Sequence, residues 1–413
     1  MRAIPLIVAT VGLMMPCIAT AQRADLPPEP VVIAILDNHP TVTAGGARVN
    51  ATEARSDQLR RGPYEVTVNA SYIRRTVHRE GGYDEFDTTI ARPFRLPGKA
   101  ALDRKAGALG IEVAQNRAED LRHQAALTLS GLWYDWLTAA ALHRTDLDTV
   151  AVLETAAKAI RRRRQLRDAA DLDIDQANAA LALAQGQAAR SLANREQARV
   201  VLTANFPDLP LPADAPQLAP PALPAQPLGA LRDLVIARSH EIRAVEREAQ
   251  RLAVVSQRVR ADRMADPSFG VRLFSERSGM ERGAGVVMSM PIGGGNRRAA
   301  FDQASAEANA ARFDLADTQR VVQATADADL SNASTRMEVW RRMADASAST
   351  VAAATRTERG QALGAVDLAD MLYARRQAHD AQRSEIEARS EAIRALMKLQ
   401  IDAHSIWVTP GDE

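Results

Sequence analysis

The sequence has little cysteine, few aromatic residues and almost no net charge. Among 413 residues there is one cysteine, aromatic residues make up 4%, and 52 basic against 51 acidic residues leave a formal charge of +1. The charge balance excludes a strongly basic nucleic-acid-binding protein, so no nucleic acid is expected among the partners. With Cys17 alone, the chain forms no internal disulfide. Hydrophobic residues still make up 46%, with much alanine, which favours thin, closely spaced helices over a thick aromatic core.

Residues 1–21 have the layout of a secretory signal peptide. Arg2 is followed by an apolar run and then by the small-residue site Ala19-Thr20-Ala21, so cleavage is expected before Gln22. The residues just before Cys17 are not small, and lipid attachment at that cysteine is therefore not predicted. Beyond this segment there is no run of about 18 apolar residues, so no membrane-spanning helix is expected.

The distribution of proline predicts very long helices. None of the 20 prolines lies between Gly98 and Phe206 or between Ile292 and Thr409. Because proline costs about 3 kcal/mol inside a helix, each of these stretches can be helical over most of its length. Many of the remaining prolines crowd into residues 207–227, which indicates an extended linker.

The linker separates two parts that share one plan. Each part has an opening helix, a β-hairpin marked by period-2 alternation, a long helix, a break and a returning helix. The predicted division is a signal peptide at 1–21, a first structural repeat at 22–206, the linker at 207–227, a second structural repeat at 228–402 and a C-terminal tail at 403–413. The predicted fold class is therefore mainly α with a small β part, in two tandem repeats.

Within the repeats the boundaries follow from glycine, proline and the hydrophobic period. The hairpins are expected at about 63–94 and 267–292, the opening helices at 29–60 and 228–263, and the long helices with their returns at 99–206 and 296–401. At 1.5 Å per residue each long helix would reach ~100 Å. Repeats of this length cannot bury themselves alone, which implies assembly.

The first predicted strand has two different faces. Tyr64, Val66, Val68, Ala70 and Tyr72 alternate with polar residues, which suits lipid on one side and water on the other. Four strands cannot close a barrel, and strand edges in lipid are not tolerated. Several copies of the chain are then required, and three would supply twelve strands. The alternative is a soluble hairpin that packs on helices.

In the order of its elements the chain resembles the TolC-type outer-membrane factors, over about residues 29–402. The resemblance is carried by that order and by four short stretches, namely Asn38–Pro40, Pro93–Lys99, Pro291–Gly295 and Gly364–Leu372. Within the first long-helix entry, Leu96-Pro97-Gly98-Lys99 looks most like the CzcC-type branch of heavy-metal efflux.

This resemblance implies a homotrimer in the outer membrane of a Gram-negative bacterium. A twelve-stranded β-barrel would lie among outer-membrane lipid, and an α-helical barrel would extend into the periplasm. The partners would be a periplasmic adaptor (membrane fusion) protein and an inner-membrane transporter. The function would be passive, gated conduction of substrate in a tripartite efflux or type I secretion system, with heavy-metal cations as the cargo of the CzcC-type branch. No enzymatic activity and no cofactor are expected.

The breaks between the long and returning helices would form the periplasmic tips. A tight helix-to-helix turn needs the backbone freedom of glycine. On the resemblance, the adaptor would dock on small and apolar residues of the two tips, which are Ala169, Ala170, Leu363, Gly364 and Ala365. Alternatively, these are turn residues without a docking role.

Carboxylates follow both breaks and are candidates for a gate. Asp171 and Asp175 share one helix face, and Asp367 and Asp370 share another. In a trimer an inward carboxylate becomes a ring of three that favours cations. Asp370 matches the first member of the acidic pair that lines the closed entrance in the family, whereas the second position holds Tyr373. The alternative is that these charges favour the starts of the helices.

Other classes of protein have weaker support in the sequence. None of the seven histidines lies three or four residues from another, and no metal site is predicted. A periplasmic coiled-coil adaptor would need a β domain that the pattern lacks. A soluble coiled-coil scaffold would need neither a signal peptide nor strands long enough to cross lipid.

Overall fold

The computed structural model describes residues 25–408 and is mainly α-helical with one antiparallel sheet, which confirms the predicted fold class. The predicted signal peptide and residues 409–413 of the tail lie outside the described residues. None of the helices between residues 25 and 408 is both long and apolar enough to cross a membrane.

The two repeats have the same order of elements. The first contains α1 (Glu29–Asp37), α2 (Pro40–Arg61), β1 (Thr67–Val77), β2 (Gly81–Pro93), α3 (Lys99–Gln165) and α4 (Asp171–Asn205). The second contains α5 (Leu228–Arg238), α6 (His240–Ala261), β3 (Ser268–Glu276), a 3-10 turn (Arg277–Gly279), β4 (Glu281–Ser289), α7 (Gly295–Ala362) and α8 (Leu368–Asp402). The long helices and their returns lie within a few residues of the predicted positions.

Each opening helix is divided, so the prediction of continuous helices at 29–60 and 228–263 is wrong. In the first repeat Pro40 starts a new helix, and His39 Nδ1 accepts a hydrogen bond from the Thr41 N–H at 3.3 Å. In the second, Ser239 Oγ accepts one from the Ile242 N–H at 3.1 Å. A side chain that caps orphan amides stabilises a new helix start, which makes the break favourable.

The sheet joins the two hairpins in the order β1-β2-β3-β4, with every pair antiparallel. Its register aligns Val68, Ile90, Val271 and Val286 in one row across all four strands. All four side chains are exposed, and Val286 is 82% exposed. The predicted apolar face of the first strand therefore continues over the whole sheet.

The first hairpin turn lies earlier in the sequence than its turn-like residues. Glu80-Gly81-Gly82-Tyr83-Asp84 predict a turn, but β1 continues to Val77 and the chain reverses at residues 78–80. Arg79 takes the left-handed conformation there, with φ +72°. Both glycines lie in β2 opposite the end of β1, so the strands are longer than the alternation alone indicated.

The helices α2, α3, α6 and α7 pack side by side in that order. α3 packs against α2 on one flank and α6 on the other, and α6 packs against α7. α4 returns along α3, and α8 returns along α7 and also contacts α3. A core around Trp133 and Trp136 of α3 includes residues of α1, α4 and α8, so it joins the two repeats midway along the molecule.

A buried lysine joins the repeats at the base of the sheet. Lys99, the first residue of α3, is 2% exposed. Its Nζ lies 2.8 Å from Asp262 Oδ1 and 2.9 Å from Asp266 Oδ1, and it donates to the Met264 carbonyl at 2.7 Å. Burial opposes ionisation of Asp266, but hydrogen bonds from the Leu96 N–H and Lys99 lower the pKa of its carboxyl. An ammonium can be buried only with such partners.

Replacing Lys99 with Met should destabilise the protein. Removal of one partner from a buried ion pair costs about 3–5 kcal/mol, because the remaining charge is left without compensation. Lys105→Met removes an exposed cation from the same helix and should change the free energy of unfolding by less than about 0.5 kcal/mol. Denaturant unfolding followed by circular dichroism measures both variants, and equal losses would contradict a structural role for Lys99.

Candidate docking tips, gate and histidine cluster

The second tip closes with a glycine in the left-handed conformation. The Ala365 N–H donates to the Gly360 carbonyl at 2.9 Å, and the Gly364 N–H donates to the Gln361 carbonyl at 3.0 Å. This bond pair is the Schellman motif, in which the residue after the helix cap takes positive φ. Gly364 has φ +77°, which glycine adopts without the cost of a Cβ.

The first tip has the same motif without a glycine. The Asp168 N–H donates to the Arg163 carbonyl at 2.8 Å, and the Arg167 N–H donates to the Arg164 carbonyl at 2.9 Å. Arg167 has φ +66° and occupies the place of Gly364. Sequence reasoning recognised the break but missed this equivalence, because an arginine gives no turn signal.

The predicted docking residues lie at the ends of the two helical hairpins. Leu363 is 85% exposed, Gly364, Ala365 and Ala170 are exposed, and Ala169 is half-buried. Two further leucines, Leu166 and Leu172, are each 64% exposed in the first tip. Leu166 has the same position in its motif as Leu363, which makes it the docking candidate that sequence reasoning overlooked.

Among the gate candidates, the two carboxylates of α4 differ in their partners. Arg164 Nε lies 2.5 Å from Asp171 Oδ1, and this hydrogen bond lowers the pKa of the Asp171 carboxyl. Asp175 is exposed, and no ion pair among residues 25–408 involves it. Asp171 is therefore already compensated by a cation of its own chain.

The gate candidates of α8 lie on the side of that helix that faces away from α3 and α4. Leu368 and Met371 are buried in a cluster with residues of α3 and α4. Asp370 and Tyr373 are exposed on the opposite side of α8, and Asp367 is exposed at its N-cap. Asp367, Asp370 and Tyr373 thus lie outside the cluster that joins α8 to α3 and α4.

Three histidines from distant parts of the sequence have their rings in contact. The ring of His404 lies 4.7 Å from that of His240 and 5.3 Å from that of His123, between centroids. Burial, reinforced by the charges of His123, His240 and nearby arginines, lowers the pKa of His404 to about 4. A search for histidines three or four residues apart could not find this cluster, because its members come from separate elements.

His123 also contributes to an ion network. Its Nε2 lies 3.0 Å from Asp402 Oδ1, and Lys398 Nζ lies 2.6 Å from Asp402 Oδ2. In the part of the chain that the structure describes, no three His, Cys, Asp or Glu side chains are grouped so as to hold a metal ion.

No protein-family model and no curated protein matches the sequence. Solved structures do match the fold. The outer-membrane channel OprN is 21% identical, with a TM-score of 0.77 and coverage of 92% of this chain and 91% of that one. The outer-membrane protein VceC from Vibrio cholerae is 13% identical, with a TM-score of 0.72 and coverage of 91% and 95%. The MtrE outer-membrane channel of Neisseria gonorrhoeae in its open state is 15% identical, with a TM-score of 0.71 and coverage of 91% and 88%.

The chain has the fold of the TolC-type outer-membrane channels. The likeness extends over nine-tenths of the chain and includes the sheet and both helical hairpins. The resemblance predicted from the sequence is confirmed at the level of the fold.

The tip motif predicts unequal effects of substitutions at Gly364. Apart from its two chain neighbours, no atom of residues 25–408 lies within 4 Å of a Cβ added there, so a change to valine acts through the backbone. Holding a β-branched residue at positive φ costs about 1–3 kcal/mol, whereas asparagine tolerates that conformation. Gly364→Val should therefore increase hydrogen exchange of the Ala365 amide and Gly364→Asn should not. Equal exchange in both variants would contradict the turn assignment.

Proposed function

We propose that the protein is a subunit of an outer-membrane exit duct in a tripartite efflux or type I secretion system. The observation that carries this proposal is one chain that combines a sheet with an exposed apolar face and two helices, α3 and α7, that are each about 100 Å long. The sheet suits lipid, and the helices suit a tunnel that crosses the periplasm. The duct conducts substrate passively, and the chain performs no chemistry.

Assembly as a homotrimer follows from the edges of the sheet. β1 and β4 are the outer strands, and in lipid an unpaired strand edge costs several kcal/mol per group. Pairing β4 of one copy with β1 of the next satisfies both edges. Three copies then give a closed twelve-stranded barrel in the outer membrane, as the resemblance implies.

The periplasmic tips are the proposed contact with an adaptor protein, which connects the duct to an inner-membrane transporter. Leu166, Leu172 and Leu363 give these tips exposed apolar surface, and the Schellman turns hold that surface in a fixed shape. A rigid apolar surface favours binding because little conformational entropy is lost. Ala169, Ala170, Gly364 and Ala365 complete the proposed docking surface.

The cargo suggested by the CzcC-type resemblance is a heavy-metal cation. That suggestion depends on the stretch that ends in Lys99, and Lys99 has a structural reason of its own in the buried ion pairs with Asp262 and Asp266. The stretch therefore supports the fold more directly than it supports the cargo.

Fractionation tests the proposed function. A heat-modifiable trimer in the outer membrane is the expected result, whereas a monomer in periplasmic extract would contradict the proposal and favour a coiled-coil adaptor or scaffold.

Substitutions on the apolar face of the sheet provide a sharper test. Val68→Lys should reduce assembly in the membrane, because a lysine near mid-bilayer costs about 2–4 kcal/mol. Asn69→Lys, on the opposite face of the same strand, is the matched control and should assemble normally.

The gate is assigned to Asp370, with Tyr373 beside it on the exposed side of α8. Three copies of Asp370 around the trimer axis would form an acidic ring that favours cations. Asp370→Ala should therefore lower cation selectivity in single-channel recordings and weaken block by divalent cations from the periplasmic side. Asp345→Ala removes an exposed carboxylate from α7 and should change neither property. Unchanged selectivity and block in both variants would remove Asp370 from the constriction.

A further inference from the structure

A long hollow lies between α2 and α6, with α3 as its floor. Its volume is about 840 Å³. The floor is made of small residues of one face of α3, namely Ala106, Gly107, Gly110 and Ala114. A Cβ on Gly107 would lie 2.4 Å from Ser56 Oγ of α2, so glycine permits the close approach of the two helices. We call this feature the arginine hollow, after the side chains along its rims.

Three arginines along the arginine hollow lack an acidic partner. Arg48 and Arg55 belong to α2 and Arg117 belongs to α3, and all three are exposed. No ion pair between residues 25 and 408 involves any of them. A concave surface with uncompensated cations attracts anions more strongly than a flat one does.

The carboxylates that line the same hollow are mostly engaged elsewhere. Glu248 is held by both Nε and Nη2 of Arg251 at 2.7 Å, and Asp103 is held by Arg258 at 2.7 Å. Arg117 interacts electrostatically with Glu248, but that carboxylate is already paired with Arg251. Asp120 lies at one end and is the remaining acid, so three cations face one carboxylate.

The packing of α2 on α3 sets the spacing of the free cations. Gly45 lies against Ala118 and Gly107 against Ser56, so the two helices run antiparallel. In this register Arg48 of α2 is level with residue 115 of α3, two residues or about 3 Å along the helix axis from Arg117. Arg55 follows Arg48 by seven residues, which puts it on the same side of α2 about 10 Å further along.

We propose that the arginine hollow binds an elongated organic anion with an anionic group at each end. One anionic group lies between Arg48 and Arg117, the other meets Arg55, and an apolar body rests on the alanine and glycine floor. Arginine suits this task because its planar guanidinium binds carboxylate, sulfonate or phosphate through paired hydrogen bonds. The binding does not depend on the proposed export function, because it needs only the folded chain.

A direct binding measurement tests this site. The probe is biphenyl with one carboxylate at each end, titrated calorimetrically into the full-length protein in a non-ionic detergent at low salt. We expect saturable binding that weakens as ionic strength rises. Biphenyl with a single carboxylate should bind at least about tenfold more weakly, because it loses one charge-assisted contact.

Matched variants locate the binding. Arg48→Gln with Arg55→Gln should weaken binding of the dicarboxylate at least about tenfold, and Arg117→Gln should do so as well. Arg61→Gln removes an exposed charge from the same helix outside the hollow and should leave affinity unchanged. Circular dichroism confirms that each variant is folded. No saturable binding by the parent protein, or equal weakening by Arg61→Gln, would overturn the proposal. Loss of membrane assembly would leave it intact.

Discussion

The burial of the Lys99 ammonium group fixes how the two repeats meet at the end of the sheet where α3 begins. Lys99 is nearly inaccessible to water and can remain charged there only beside Asp262 and Asp266, which belong to the other repeat. The same Asp266 accepts hydrogen bonds from the Leu96 N–H and the Tyr64 hydroxyl. This interaction therefore aligns the end of β2 with the start of β3 and sets the direction in which α3 leaves the sheet.

The two repeats satisfy the same geometric demands with different residues. At the tips, Gly364 and Arg167 occupy one backbone conformation, which is free of strain only for the glycine. At the breaks of the opening helices, the ring of His39 packs against Phe206 in a tilted arrangement and that of His240 stacks on His404, at 5.1 and 4.7 Å between centroids. Equivalent positions of the two repeats thus keep the same backbone conformation and ring packing, although their residue types differ.

The exposed surfaces of the single chain are those that the proposed function would cover with partners. The apolar face of the sheet, the edges of β1 and β4, and the leucines at the tips all lie open. In the proposed duct the apolar face would contact lipid, the strand edges would pair with further copies of the chain, and the tips would contact an adaptor protein. The arginine hollow differs from these surfaces because it is concave and charged, which suits a small ligand.

Sequence patterns alone predict the two repeats, the long helices and the alternation of the strands, because proline, glycine and hydrophobic period act over a few neighbouring residues. They also indicate where Asp370 and Gly364 stand relative to the helix ends. Only the folded chain brings Lys99 to its acidic partners, His123 and His240 to His404, and Arg48 to the same hollow as Arg117. Those features join residues that are far apart in the sequence, and their pairing depends on how helices pack, which no local pattern records.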